Sequence, residues 1–195
     1  AGMDVIAVVD PLVSQVSPHH FESLLSKHFA ECFDNIRSKN VFSSFFVCGN
    51  ATSQIEVMAK TNPDSISVDE NVDLAEVKKI TDKYNVTIGG NIPLTTTMLF
   101  GNQKDNMKYV VELLDKVEHH NIIISPGCDM PYNIPIENVI ATCQAVKNTE
   151  MARTMVSGYE ASDDDIEVDL PDYENLKKPF IEVFTLDAAT CAACT

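Results

Sequence analysis

Short strand-like runs alternate with stretches of helical periodicity five times along this chain, and that alternation narrows the possible folds more than any other feature. The strand-like runs are residues 4–9, 43–47, 65–68, 86–89 and 121–125. Between the first two, Phe21, Leu24, Leu25, His28, Phe29, Cys32, Phe33 and Ile36 recur at helical spacing. Ahead of them stand Ser17, a side chain suited to capping, and Pro18, whose fixed φ suits the first helical position. Helical patterns follow over 52–60, 73–83, 103–118 and 136–147, and Met107, Val110, Val111 and Leu114 form the apolar stripe of the third of these. A repeated β-α order implies parallel strands joined by right-handed crossovers.

A closed (β/α)8 barrel needs eight such units and typically about 250 residues, whereas this chain has 195 and enters its first strand at residue 4. The expected fold is therefore α/β: the C-terminal five β/α units of a TIM (β/α)8 barrel, incomplete in this chain. An open doubly wound sheet is the alternative, because five parallel strands suffice for one.

A hydrophobic content of 45% supports a sizeable core, and no apolar run approaches the roughly 20 residues of a membrane span. The formal net charge of −15, without a Lys/Arg cluster, argues against nucleic acid or an anionic membrane as partner. Part of that charge is local: Glu160, Asp163, Asp164, Asp165, Glu167, Asp169, Asp172 and Glu174 share a stretch without apolar periodicity. The expected organisation is a partial barrel over 1–156, an acidic linker over 157–178 and a separate segment over 179–195. An unpaired first strand would be a free sheet edge, so self-association is expected.

Six cysteines without a signal peptide point to cytoplasmic thiols rather than a secreted disulfide framework. Cys32 and Cys143 fall on helical apolar faces and are expected in the core. Cys48, in Val47-Cys48-Gly49-Asn50, and Cys128, in Ser125-Pro126-Gly127-Cys128, each follow a strand, at the end where parallel α/β folds build active sites. Asp10, Asp69 and Asn91 share that end and are candidates for positioning a substrate, although such residues also cap helices and satisfy loop amides. His19, His20, His119 and His120 sit at helix ends, where surface and capping roles are expected. After Pro179, the alternating run Phe180-Ile181-Glu182-Val183-Phe184-Thr185-Leu186 leads to Cys191-Ala192-Ala193-Cys194, which resembles the start of a thioredoxin-like domain with Cys191 and Cys194 as a redox pair.

Several of these residues together resemble the uroporphyrinogen decarboxylase superfamily, which includes corrinoid- and cobamide-dependent methyltransferases. The resemblance lies in Asp10-Pro11 with Ser17-Pro18, the Cys48-Gly49-Asn50 turn, Ile66-Ser67-Val68-Asp69 with Val72-Asp73-Leu74, Gly90-Asn91-Ile92-Pro93, and Ser125-Pro126-Gly127-Cys128 through Pro135-Ile136-Glu137-Asn138. It covers roughly residues 1–150 and implies barrel strands four to eight. Decarboxylases typically carry a Gly-His-Gly type turn after the last strand, where this chain has Gly127-Cys128-Asp129. The methyltransferase branch resembles it better, with a His-x-Cys motif and a later Cys holding a zinc ion that activates a thiol acceptor.

Cys48 and Cys128 match the two cysteine positions, but Phe46 occupies the place of the histidine. A zinc ion would therefore need a further donor such as Asp129, Asp10 or Asp69, or a cysteine from another part of the protein. The resemblance implies methyl transfer between a methyl-corrinoid protein and a small thiol-type acceptor. Uroporphyrinogen decarboxylation, which needs anion-binding arginines, and a non-catalytic docking role for a corrinoid or redox partner are the alternatives. The chain's arginines are Arg37 and Arg153. A fragment lacking the earlier strands is expected to be inactive by itself.

Overall fold

Five strands, Val5–Val9 (β1), Phe42–Val47 (β2), Ser65–Val68 (β3), Thr87–Ile92 (β4) and Ile122–Pro126 (β5), form one sheet in the order β1-β2-β3-β4-β5. Every neighbouring pair is parallel. That order decides between the two expected architectures. A doubly wound sheet reverses its direction of growth at a switch point and so carries helices on both faces. Here each strand is added on the same side of its predecessor, and crossovers of one hand deliver the helices to one face, as in a TIM barrel.

The computed structural model describes residues 2–160. The expected linker from residue 161 onward, the run at 180–186 and the Cys191/Cys194 pair lie outside the described residues.

The helices are Pro18–His20 (α1), continued through a wide π-type turn at Phe21–Leu25 into Ser26–Arg37 (α2), then Ile55–Lys60 (α3), Leu74–Thr81 (α4), Gln103–Lys116 (α5), Ile136–Lys147 (α6) and Thr149–Val156 (α7). Ser17 caps α1 as its position suggests, its hydroxyl accepting from the His20 amide at 3.2 Å. Asn102 and Asp105 close a reciprocal capping box at the start of α5.

Two elements depart from the sequence reading. β4 runs on through Gly90 and Asn91 to Ile92, residues of which the first two are poor strand formers, because Gly90, Asn91 and Ile92 pair with Ile124, Ser125 and Pro126 of β5. Helix α7 has no counterpart among the expected elements. It is one short helix, capped by the Asn148 side chain on the Met151 amide and tied to α5 by two Arg153–Asp115 hydrogen bonds of 2.7 and 2.6 Å. Beyond it, the first residues of the expected linker are anchored. The Tyr159 hydroxyl donates to Asp105 at 3.0 Å and accepts from Asn102 at 2.8 Å.

The core lies between the sheet and its helices. Phe45, Val47, Ile66, Val68 and Ile88 project into it fully buried, and Phe45 sits 4.5 Å from the Phe29 ring and 5.3 Å from Phe33, centroid to centroid. Cys32 and Cys143 do not join this core, contrary to expectation; both are exposed. At 100° per residue Cys143 points roughly 200° away from buried Ala141, and Cys32 sits on the flank of the Phe29–Phe33 stripe. The opposite face of the sheet is open: Val5 and Val9 are 53% and 51% exposed, Phe42 64% and Ile123 48%. Among the described residues no helix is long and apolar enough to cross a membrane.

Candidate functional site at the carboxyl ends of the strands

Loops that leave the carboxyl ends of β2, β3, β4 and β5 are bound to one another, and the two strand-end cysteines are fixed where those loops meet. Cys48 follows β2 and precedes Gly49, which takes φ +84°, a conformation that favours glycine. A Cβ there would stand 2.9 Å from the Ser14 hydroxyl. The Gly49 amide donates to one oxygen of Asp69, the residue after β3, and the other Asp69 oxygen accepts from the Asn71 amide at 3.0 Å. Buried Asp69 therefore couples the β2 loop to the β3 loop.

Asn91, on β4 and 2% exposed, donates from its side-chain amide to the carbonyls of Asp69 and Val72. The Tyr109 hydroxyl of α5 reaches the Asn91 backbone carbonyl at 3.3 Å. Burial, together with the nearby negative charges of Glu70 and Asp73, pushes the Tyr109 hydroxyl above its ordinary pKa and keeps it a donor. After β5, the Gly127 amide donates to the Ile92 carbonyl at 3.0 Å, and a Cβ on Gly127 would run into the Glu70 carboxylate. The absent side chain lets the β5 loop lie against the Glu70 amide of the β3 loop, which a Cβ would approach to 3.1 Å.

These ties bring the Cys48 and Cys128 sulfurs to 3.4 Å. In the sheet, β2 and β5 stand three strand spacings apart, a path of roughly 14 Å at about 4.8 Å per step. The sulfurs are far closer than that path along the sheet. The expected convergence of the two cysteines is present, and Asp69 and Asn91 share the same end with their polar atoms directed at loop backbone. Asp10, after β1, accepts from the Leu12 amide at 3.0 Å and caps the turn Pro11–Gln15, while its own amide donates to the Phe46 carbonyl. His19, His20, His119 and His120 are exposed.

The donor set does not fit a tetrahedral zinc ion, which takes four ligands in a structural site and three protein ligands in a catalytic one. Among the described residues no group of three His, Cys, Asp or Glu side chains is placed to hold a metal ion. Of the proposed substitutes, Asp69 is engaged by two amides and Asp10 by its own turn.

Beside the loops is a cavity of about 300 Å³ lined in part by Glu70, Asp73, Asn91, Tyr109, Glu112 and Lys116. The sequence reading did not find it, because α5 residues 109–116 and loop residues 70–73 carry no local pattern that links them.

The uroporphyrinogen decarboxylase (URO-D) family model matches residues 1–149. The chain is 29% identical over 151 residues to methylcobamide:CoM methyltransferase MtbA of Methanosarcina acetivorans, covering 75% of this chain and 42% of that relative. It is 31% identical over 148 residues to methylcobamide:CoM methyltransferase MtaA of Methanosarcina barkeri, covering 74% and 42%. A uroporphyrinogen decarboxylase of Trichodesmium erythraeum is 26% identical over 140 residues, covering 71% and 39%. Among solved structures, a methyltransferase from Methanosarcina mazei superposes with a TM-score of 0.68 at 25% identity, covering 76% of this chain and 43% of that one. The chain thus spans about two fifths of the length of the relatives it matches. The strand order, the strand-end loops and the family match over residues 1–149 agree: the chain belongs to the uroporphyrinogen decarboxylase family.

Proposed function

We propose that this chain is part of a cytoplasmic enzyme that transfers a methyl group between a methyl-corrinoid protein and a thiol-type acceptor. The observation that carries the reading is the meeting of Cys48 and Cys128 at 3.4 Å over the carboxyl ends of the strands, in a chain similar to two kinds of methylcobamide:CoM methyltransferase. The corrinoid partner would supply the methyl group, and the acceptor, having given its thiol proton to solvent, would take it as a thiolate to form the S–CH3 bond. Cys48 and Cys128 hold and orient the acceptor at the mouth of the sheet. Asp69 and Asn91 act as positioning residues through the loop amides and carbonyls they bind, and Asp10 shapes the β1 loop. Zinc at this pair would require donors from outside the described residues.

Decarboxylation is the weaker alternative on a specific observation. Recognition of a polycarboxylate porphyrinogen calls for arginine forks, and neither arginine serves here: Arg37 binds Asp34 and the Asn62 carbonyl, while Arg153 is paired with Asp115 on the helix layer. We also propose that the isolated chain self-associates, because β1 pairs with β2 alone among the described strands and carries exposed Val5, Ile6 and Val9. The test is a side-by-side assay of the full-length protein. Demethylation of methylcobalamin in the presence of a thiol, followed by absorbance, is expected, with no loss of carboxyl groups from uroporphyrinogen. Decarboxylation without methyl transfer would reverse the assignment.

A further inference from the structure

The thiol pair has a chemistry of its own that needs no metal and does not rest on the methyl-transfer reading. We propose that Cys48 and Cys128 form a reversible disulfide, so that the strand-end site is a dithiol–disulfide switch set by low-molecular-weight disulfides such as glutathione disulfide. The sulfurs stand 3.4 Å apart, and a covalent bond of about 2.05 Å requires an approach of little more than 1 Å, within reach of small side-chain rotations. Both residues are partly exposed and so open to a small oxidant. The Gly49–Asp69 and Gly127–Ile92 hydrogen bonds hold both loops, so the cysteines, 80 residues apart in sequence, already meet in the folded chain.

The reaction balances as two thiol–disulfide exchanges. One thiolate of the pair attacks glutathione disulfide, forming a mixed disulfide and releasing one glutathione thiolate, which takes up a proton. The second thiolate then attacks the protein sulfur of that mixed disulfide and expels the second glutathione. Two protein thiols are oxidised by two electrons, and one glutathione disulfide becomes two glutathiones. The second step is intramolecular between groups already in contact, and so outruns further capture of oxidant. Cys32 on α2 and Cys143 on α6 are exposed on separate helices and serve as internal controls. In the oxidised form neither Cys48 nor Cys128 retains a thiolate, so the switch removes whatever ligand or acceptor role the pair has.

The full chain is incubated with glutathione disulfide under native conditions, blocked with N-ethylmaleimide, digested without reduction and mapped by mass spectrometry. The expected result is a Cys48–Cys128 linked peptide, lost on treatment with dithiothreitol, with Cys32 and Cys143 recovered alkylated or singly glutathionylated. With Cys191 and Cys194 replaced by serine throughout, Cys48→Ser should instead accumulate Cys128 as a glutathione adduct at least ~10-fold above its level in the chain that keeps Cys48, an excess that reflects the missing resolving thiol. Recovery of Cys48 and Cys128 as separate adducts or as two alkylated thiols, or an unchanged Cys128 adduct in Cys48→Ser, would overturn the proposal. None of these outcomes depends on whether the protein transfers methyl groups.

Discussion

Both faces of the sheet carry large apolar residues, on the open face mainly at its margins, and the fold treats the two in opposite ways. On the helix side, Phe45, Val47, Ile66, Val68 and Ile88 are sealed beneath α2, α3 and α4. On the other side, Val5, Val9, Phe42 and Ile123 are about half exposed or more. Strands in parallel α/β folds read as nearly continuous apolar runs because both faces are ordinarily covered. In β1 and β5 apolarity alone therefore does not say which face is buried, whereas the alternation Ser65-Ile66-Ser67-Val68 does so in β3. The helices decide it, and the energetic weight of the fold is one-sided.

That asymmetry is most easily broken by truncating one phenylalanine on each face. Phe45→Ala should cost about 3–5 kcal/mol, the range for removing a buried aromatic side chain, because Phe45 is fully buried against Phe21, Phe29 and Phe33. Phe42→Ala, at a residue 64% exposed, should fall within about 0.5 kcal/mol. Guanidinium unfolding of each variant checks the difference, and equal costs would mean that the open face is packed in solution.

A second test stays on the helix side. Lys78 is 3% exposed and its ammonium is met by both Asp82 oxygens, at 2.7 and 2.9 Å. Asp82→Asn leaves a buried cation with a neutral partner, an expected loss of about 3 kcal/mol in the same unfolding assay. A third test moves to the rim where the site is built. Gly127→Ala pushes aside the Glu70 carboxylate and crowds the Glu70 amide and Ile92 carbonyl at 3.1 and 3.3 Å, a penalty of about 1 kcal/mol, the low end for overpacking. It should also lower the yield of Cys48–Cys128 linked peptide, because the loop that carries Cys128 shifts.

The smallest effect concerns α7. Asp115 has its pKa lowered, first by its hydrogen bond to Arg153. A carboxyl whose folded pKa lies below its unfolded value stabilises the folded state above the unfolded value, near 3.8, and loses that contribution as pH falls through the folded value. Amide exchange in α7 should therefore quicken relative to α5 below about pH 4, and Arg153→Met should remove the difference. An α7 protection pattern indifferent to Arg153 would show that apolar contacts alone dock this helix.

Much of the architecture was legible in the sequence because it rests on local signals. Strand-like runs at 65–68 and 121–125 needed no tertiary information, and neither did the Ser17-Pro18 helix start. The end of β4 was not legible, since Gly90 and Asn91 join a strand only through their β5 partners. Helix α7 was missed because its docking depends on an Arg153–Asp115 pair 38 residues apart. For the site, the positions of Cys48 and Cys128 at strand ends could be read from order alone. The loop-holding parts of Asp69, Asn91 and Gly127 could not, because each is defined by atoms in another loop.

The central claim is that Cys48 and Cys128 act as one unit, and a double-substitution cycle tests it most directly. Methyl transfer from methylcobalamin to a thiol is measured for the full-length protein and for Cys48→Ser, Cys128→Ser and the double variant, with folding checked by circular dichroism. Groups that act together are strongly non-additive, so each single substitution should lower the rate by on the order of 100-fold and the double variant little further. Rates that leave either single variant near the parent level, or two losses that simply multiply, would contradict a site built on the paired thiols.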